Sequence, residues 1–326
     1  MTPSLAASLV LLAAAAAPVP TPAGFTAVAP GVFLLRGAFV PGAQPDGNSV
    51  VLVGKDGLVV VDTGRHPAHT DRIVAYARAS HRPVKVVVNT HWHLDHVGGN
   101  VILRRAYPGL RVWAGNGVEA AMSGFLANYR KQLQEQIAAP TTGAAARAAD
   151  EAEVGLIDAG RVLFPDEVVG AERTATLAGR RLVLRLETNA VTATDVQVFD
   201  PQTKVLAAGD LVTLPVPFFD TACPARWKDA LGRLAAVDFT VLVPGHGPAM
   251  SRQDFDAYRA AYDGLLACAA SAATKDACAD GWIRQVGALV PEAEHGFTRA
   301  LLGYYLDAHL RGDAAQQAAL CGSPRS

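Results

Sequence analysis

Between residues 31 and 90 the apolar positions come in short β-branched runs separated by turn-forming residues. "GVFLLRG" is followed by "NSVVLVGKDGLVVVDTG", in which two such runs flank Lys55-Asp56-Gly57, a sequence suited to a hairpin turn. A helical stretch is expected at about residues 71–79, and "PVKVVVNT" then reads as a buried strand. That strand delivers the residues after it to the C-terminal edge of a sheet, where active sites of layered α/β folds collect.

The period changes at residues 117–137. Val118, Met122, Phe125, Leu126, Tyr129, Leu133 and Ile137 fall on one face of a helix. With the Ala-rich segment that follows, they form a helical insertion at about 117–157, either packed on the surface or lying over the site as a lid. Strands resume with "RLVLRLET", "VQVFD" and "KVLAAGDLV", and "FTVLVPGHGP" ends the series. From residue 251 the spacing is helical again, through Phe255, Tyr258, Tyr262 and Leu265, then Trp282, Ile283, Val286 and Leu289, then Phe297, Leu301, Tyr305 and Leu310. The expected organisation is an α/β domain at 24–250 and a C-terminal helical extension at 251–326, packed on that domain.

Before these lies "MTPSLAASLVLLAAAAAPVPTPAG". Its apolar run is too short to span a bilayer and ends in small residues before prolines, so residues 1–23 read as a cleaved export signal, although they contain no Lys or Arg. The chain is then periplasmic or secreted, with no stable membrane association after cleavage; the other reading is an Ala/Pro-rich tail on a cytoplasmic protein. Cys223, Cys268, Cys278 and Cys321 form no C-x-x-C pair, and an exported chain allows them two disulfides, with Cys268–Cys278 the local pairing. Lys plus Arg number 29 against 30 Asp plus Glu, without blocks of like charge, which argues for a small-molecule substrate and against a nucleic-acid partner.

Chemistry concentrates in "NTHWHLDHVGG" at 89–99. On an extended segment alternate residues point the same way, so His91 and His93 can reach one ion while Asp95 and His96 turn toward a second position beside it. A mixed imidazole and carboxylate set suits Zn²⁺, one ion or two, with iron and manganese as other occupants. Asp210 in "LAAGDLV" and His246 in "VPGHGPA" each follow an apolar run that carries them toward the same sheet edge.

Together with "VVVDTG" at 59–64, these segments resemble the metallo-β-lactamase superfamily, whose pattern is H-x-H-x-D-H, then a histidine in a G/A-H-T segment, then G-D, then G-H. The resemblance covers roughly residues 31–248 and implies an αββα four-layer sandwich with a two-metal site at the sheet edge. It implies His91 and His93 as ligands of a first ion, Asp95, His96 and His246 as ligands of a second, and Asp210 as the bridging carboxylate. Asp62 is implied as the acid that orients a ligand histidine.

One position departs from the pattern. The family's third ligand of the first ion lies in a segment like A-H-T-x-G-D, 19 residues before the bridging aspartate. Here that position is Val191 in "TNAVTATD", with Thr192 and Asp195 still in frame. Valine has no lone pair, so the second position is better filled. His66, or less plausibly Asn189, is the replacement candidate; otherwise His66 and His69, like His81, His295 and His309, read as surface residues. The expected function is metal-dependent hydrolysis of a small ester, amide, lactam or related substrate by a metal-bound hydroxide, with Asp95 and Asp210 holding the ion and handling the water proton. The alternative is a non-catalytic metal-binding or ligand-binding protein of the same fold with a degenerate first site.

Overall fold

The computed structural model describes residues 21–38, 43–312 and 314–322. The segment read as an export signal therefore lies almost wholly outside the described residues. No helix among those described is long and apolar enough to cross a membrane.

Among the described residues two mixed sheets pack face to face. The first runs in chain order: β1 (Thr26–Ala29), β2 (Val32–Leu35), β3 (Ser49–Val53), β4 (Leu58–Val61), β5 (Val84–Val88), β6 (Arg111–Ala114) and β7 (Glu167–Val168). The second comprises β8 (Arg173–Leu177), β9 (Arg180–Thr188), β10 (Thr194–Asp200), β11 (Val205–Thr213), β12 (Val241–His246) and β13 (Met250–Ser251), neighbours in that order. Pairing turns parallel where the site lies, at β4–β5 and β5–β6 in the first sheet and β11–β12 in the second.

Strand alternation explains the layering. Val32, Leu34, Val50, Leu52, Val59 and Val61 face inward, onto Leu182, Leu184, Val196, Val198, Val205 and Val243 of the other sheet. The intervening Phe33, Leu35, Val51, Leu58 and Val60 face outward, onto Ile73, Val74 and Ala77 of α1 (Pro67–Ala79). Because both faces are covered, these strands read in sequence as unbroken apolar runs rather than alternating ones.

The motif opens a short helix, α2 (Leu94–Val97), so Asp95 and His96 sit on a helical turn, followed by α3 (Asn100–Ala106). The periodic stretch at 117–137 is two helices rather than one, α4 (Gly117–Ser123) and α5 (Phe125–Ala138). They divide at Gly124, whose φ −113° and ψ −100° lie outside the helical region. Then come α6 (Ala144–Asp158) and, between β11 and β12, α7 (Pro224–Ala235), started by a proline in its first turn. The C-terminal region supplies α8 (Arg252–Ala269), with a Ser251/Asp254 capping box, then α9 (Lys275–Val286), α10 (His295–Tyr305) and α11 (Ala314–Cys321). Its stripe residues Phe255, Tyr258, Tyr262, Trp282 and Tyr305 are buried in one cluster with Leu206 and Leu242 of the second sheet and Trp227 of α7. The αββα order implied by the resemblance is therefore the one observed, with the extension contributing to the outer layer. Cys268 pairs with Cys278 as expected, and Cys223 pairs with Cys321.

Two histidines read as surface residues are not. His309 is half-buried, its Nε2 3.3 Å from Asp220 Oδ1. His69 is buried in α1, where its Nε2 meets Ser49 Oγ of β3 at 2.8 Å. Burial, with some help from Arg72 and against the pull of Asp46, lowers its pKa to about 4.

A folded-state value below the unfolded one means that neutral His69 stabilises the fold above about pH 6.5, and that this contribution is lost as pH falls toward 4. Urea unfolding at pH 7 and pH 4 should show the native chain losing about 3 kcal/mol more than His69→Gln over that interval.

Candidate metal centre

Parallel register sets the first half of the site. Val61 of β4 lies beside Val88 of β5, so Asp62, next after Val61, and Thr90, two places after Val88, emerge at one sheet edge. Asp62 takes a left-handed conformation, φ +58°, that Asp tolerates better than most residues. Its buried carboxylate accepts the Thr90 amide at 2.8 Å and the Thr90 hydroxyl at 2.7 Å. The second sheet is drawn to the same edge by the Val196 amide, which donates to Thr90 O at 2.7 Å, and by Asn48, whose side-chain amide donates to Pro244 O at 2.9 Å. Asp210 from β11 and His246 at the end of β12 arrive opposite the motif.

Close approach constrains two glycines. A Cβ on Gly47 would lie 2.5 Å from the His96 ring, and one on Gly245 would lie 1.9 Å from Asp210 Oδ1.

The hydrogen bonds around the histidines assign their protons. A carboxylate only accepts, so His96 Nδ1, 2.8 Å from Asp62 Oδ2, donates and leaves Nε2 with the lone pair. The Thr90 proton is committed to Asp62, so Thr90 Oγ1 accepts from His91 Nδ1 at 2.9 Å, and His91 Nε2 keeps its lone pair. Likewise Thr221 donates to Val191 O at 2.9 Å and accepts from His93 Nε2 at 3.0 Å, freeing His93 Nδ1.

The free atoms converge. His96 Nε2 is 3.2 Å from Asp210 Oδ1 and 3.5 Å from Asp95 Oδ2, and His246 Nε2 is 3.0 Å from Asp95 Oδ2 and 3.6 Å from Asp210 Oδ1. His91 Nε2 stands 3.6 Å, and His93 Nδ1 4.0 Å, from Asp210 Oδ2. Two triads, His91–His96–Asp210 and Asp95–His96–His246, have donor atoms all within 4.8 Å of one another. His96 is thus common to both, whereas His93 stands outside either.

Buried His91 Nε2 and both Asp210 oxygens have no hydrogen-bond partner among the described residues. Uncompensated burial of that kind is costly, and a shared cation would relieve it. Charge agrees with this. Burial, together with His96 and His93 alongside, holds His91 well below the usual histidine value, and burial likewise lowers His93, so both are neutral donors. Burial works to neutralise Asp95 and Asp210, but His96 and His246 overcome it and keep both carboxyls well below their usual range. Burial also opposes charge on His96, yet Asp210, Asp95 and Asp62 raise it well above the ordinary value, so its Nε2 also holds a proton unless a cation takes that proton's place. Positive charge is therefore stabilised where these carboxylates meet.

Neither replacement candidate joins the cluster. His66, nearly half-exposed, has its Nδ1 3.0 Å from Asp46 Oδ2, and the Asn189 side chain donates to Gly322 O at 2.6 Å. Both are turned aside by nearer partners. Val191 is fully buried among apolar side chains, and the turn around it is held by Asp195, which accepts the Val191 amide at 3.0 Å.

The sequence reading passed over Thr90, Thr221 and Arg65. Arg65 Nη2 lies 3.6 Å from Asp95 Oδ1, and its Nη1 pairs with buried Glu153 of α6. Thr90 was detectable as the hydroxyl immediately before the first histidine, but nothing local marked Thr221, 128 positions from His93. Beside the site opens a cleft of about 320 Å³, to which His93, Asp95 and Arg65 contribute.

A family model described as the metallo-beta-lactamase superfamily matches residues 43–246, and the chain belongs to that superfamily. Among solved structures, a metallo-beta-lactamase from Pontibacter korlensis is 24% identical, with a TM-score of 0.52 over 71% of this chain and 94% of that one. One from Hirschia baltica is 21% identical, with a TM-score of 0.51 over 72% and 95%. A stereoselective inverting sec-alkylsulfatase from Pseudomonas sp., 19% identical, matches 91% of this chain but 49% of its own, with a TM-score of 0.55. These three likenesses establish the fold. A curated relative, an atrochrysone carboxyl ACP thioesterase of Aspergillus fumigatus, is 34% identical over 70 residues, 21% of this chain. The match spans 22% of that relative's length.

Replacing Thr90 by Val keeps the side chain's shape and removes the acceptor that orients His91. Zinc affinity, measured by competition with a chromogenic chelator, should fall about 10- to 100-fold in Thr90→Val, with thermal unfolding confirming a folded chain.

Proposed function

We propose that this protein is a metal-dependent hydrolase of a small molecule bearing an ester, amide, lactam or related bond, and that zinc is its ion. The observation that carries the reading is the convergence of buried imidazole nitrogens and carboxylate oxygens, with His91 Nε2 and both Asp210 oxygens otherwise unpaired. Asp95, His96, Asp210 and His246 would form the better-filled position, and His91 and His93 with Asp210 the poorer one. When bound, a divalent cation lowers the pKa of a water molecule to about 7 and polarises a carbonyl or phosphoryl oxygen.

The chain's own residues divide the remaining work. Asp62 and the Thr90 hydroxyl hold the His96 and His91 tautomers that keep lone pairs facing inward. Asp95 and Asp210, both ionised, would anchor the ion and orient the proton of the attacking water. His93, held by Thr221 and standing slightly apart from the triads, would accept a hydrogen bond from the water through its free Nδ1. In the same reading residues 24–250 form the hydrolase domain, 251–326 its helical extension, and 1–23 direct export. Both disulfides are consistent with an oxidising compartment.

The buried Val191 favours one tightly held ion in the native chain. Metal content per chain after dialysis, by plasma mass spectrometry, should be about one for the native protein and approach two for Val191→His. Two tightly held ions in the native protein would reject the single-ion reading. Hydrolysis of a panel of chromogenic esters, amides and lactams should disappear on chelation and return with Zn²⁺; tight metal binding without turnover in either chain would identify a binding protein instead.

A further inference from the structure

The cleft beside the metal-site residues is walled largely by aromatic and aliphatic side chains from segments far apart in sequence. Trp92 comes from the motif, Phe125 and Tyr129 from α5, Phe218 from the loop after β11, and Leu301 and Tyr305 from α10. The rings fall into two groups, Trp92 with Phe125 and Tyr129, and Phe218 with Tyr305. Centroids are 5.5 Å apart for Trp92 and Phe125, 6.5 Å for Phe125 and Tyr129, and 6.3 Å for Phe218 and Tyr305. Both groups reach the donor residues, because Phe218 lies 5.7 Å from the His246 ring and Trp92 4.6 Å from that of His93. Phe125, the first residue of α5, is nevertheless 45% exposed. An aromatic ring left in water at the mouth of an apolar pocket marks a place where another apolar group binds.

Charge narrows the occupant. Arg65 is the one Arg or Lys among the described residues lining the cleft, and it is already engaged. Glu153 and Asp95 pair with its guanidinium, and its Nε donates to Pro45 O at 3.2 Å. Burial opposes its charge, but those two carboxylates hold it above its ordinary value. Across the cleft, Asp220 presents a partly exposed carboxylate that accepts the Tyr305 hydroxyl at 2.7 Å. An anionic substituent entering here would meet a carboxylate and find no uncommitted Arg or Lys.

We infer that this cleft is the specificity subsite of the hydrolase: it receives an uncharged ring or branched-alkyl portion of the substrate next to the bond to be cleaved, and it discriminates against a carboxylate or sulfonate at that place. The inference rests on the hydrolase reading for the word substrate, while the cleft's preference stands on its own geometry. Phe125, Phe218 and Leu301 grip the apolar group, and Asp220 supplies the charge discrimination.

Two fluorescent probes that share an anilinonaphthalene skeleton test this without turnover. The zinc-loaded full chain, and the same protein in EDTA, is titrated with neutral N-phenyl-1-naphthylamine and with its sulfonated counterpart, 8-anilinonaphthalene-1-sulfonate. The neutral probe should bind at one site about tenfold more tightly than the sulfonate. Phe125→Ala and Leu301→Ala should each weaken it about fivefold, in line with the loss of one or two ring or side-chain contacts. Asp220→Asn should improve sulfonate binding about threefold and leave the neutral probe unchanged. Equal or tighter binding of the sulfonate to the native protein overturns the inference, as does neutral-probe binding indifferent to both alanine variants. Failure of the hydrolase reading looks different: no ester, amide or lactam is turned over, yet the probe titrations keep their expected order, and the cleft is then a ligand site rather than a substrate site.

Discussion

The arrangement depends on one buried carboxylate. Asp62 receives the amide and hydroxyl of Thr90 and the Nδ1 proton of His96, and through Thr90 it also fixes the tautomer of His91. It therefore couples the ends of two parallel strands to the direction in which two imidazoles present their lone pairs. A metal centre needs its donors oriented before the ion arrives, since each loose imidazole would otherwise lose rotational freedom on binding. Here that ordering is built into the fold, by hydrogen bonds among buried groups.

The backbone around buried Val191 is well supported. Asp195 accepts the amides of Val191 and Thr192, and the Val191 carbonyl receives the Thr221 hydroxyl that positions His93. The segment thus keeps a structural task, orienting His93 through its main chain, while its side chain joins the apolar layer beneath. Burial raises the Asp195 pKa to about 7 despite those amide contacts, so the turn is held by a carboxyl poised between its two forms near neutrality.

Much of the architecture was legible because the sheets are covered on both faces. Strands such as "LVVV" and "VKVVV" must then be apolar throughout, and the stripe of Phe255, Tyr258 and Tyr262 announces α8 directly. The six donor-type residues were legible from their chemistry and their place after apolar runs, and the structure gathers them at one edge. What escaped was relational. That His96 is common to both triads, and that His93 stands apart, depends on a helical turn at residue 94 where an extended loop was expected. Gly124 divides a stripe that periodicity alone reads as continuous. His66 offered a ring close in sequence to Asp62, but Asp46, from the preceding loop, engages it first. Arg65 and Glu153, 88 positions apart, leave no periodic trace of their pairing.

The bond between Cys223 and Cys321 joins the chain's last described helix to the residue two places after Thr221. The residue that steadies His93 therefore lies just outside a covalent ring, closed across a sequence separation of 98. In surroundings that keep thiols reduced that ring would stay open, and the last described helix would no longer be tied covalently to the loop beside the site. The last described helix thus acts as a brace for the loop that holds Thr221, and whether the brace is fastened depends on the oxidation state of the surroundings.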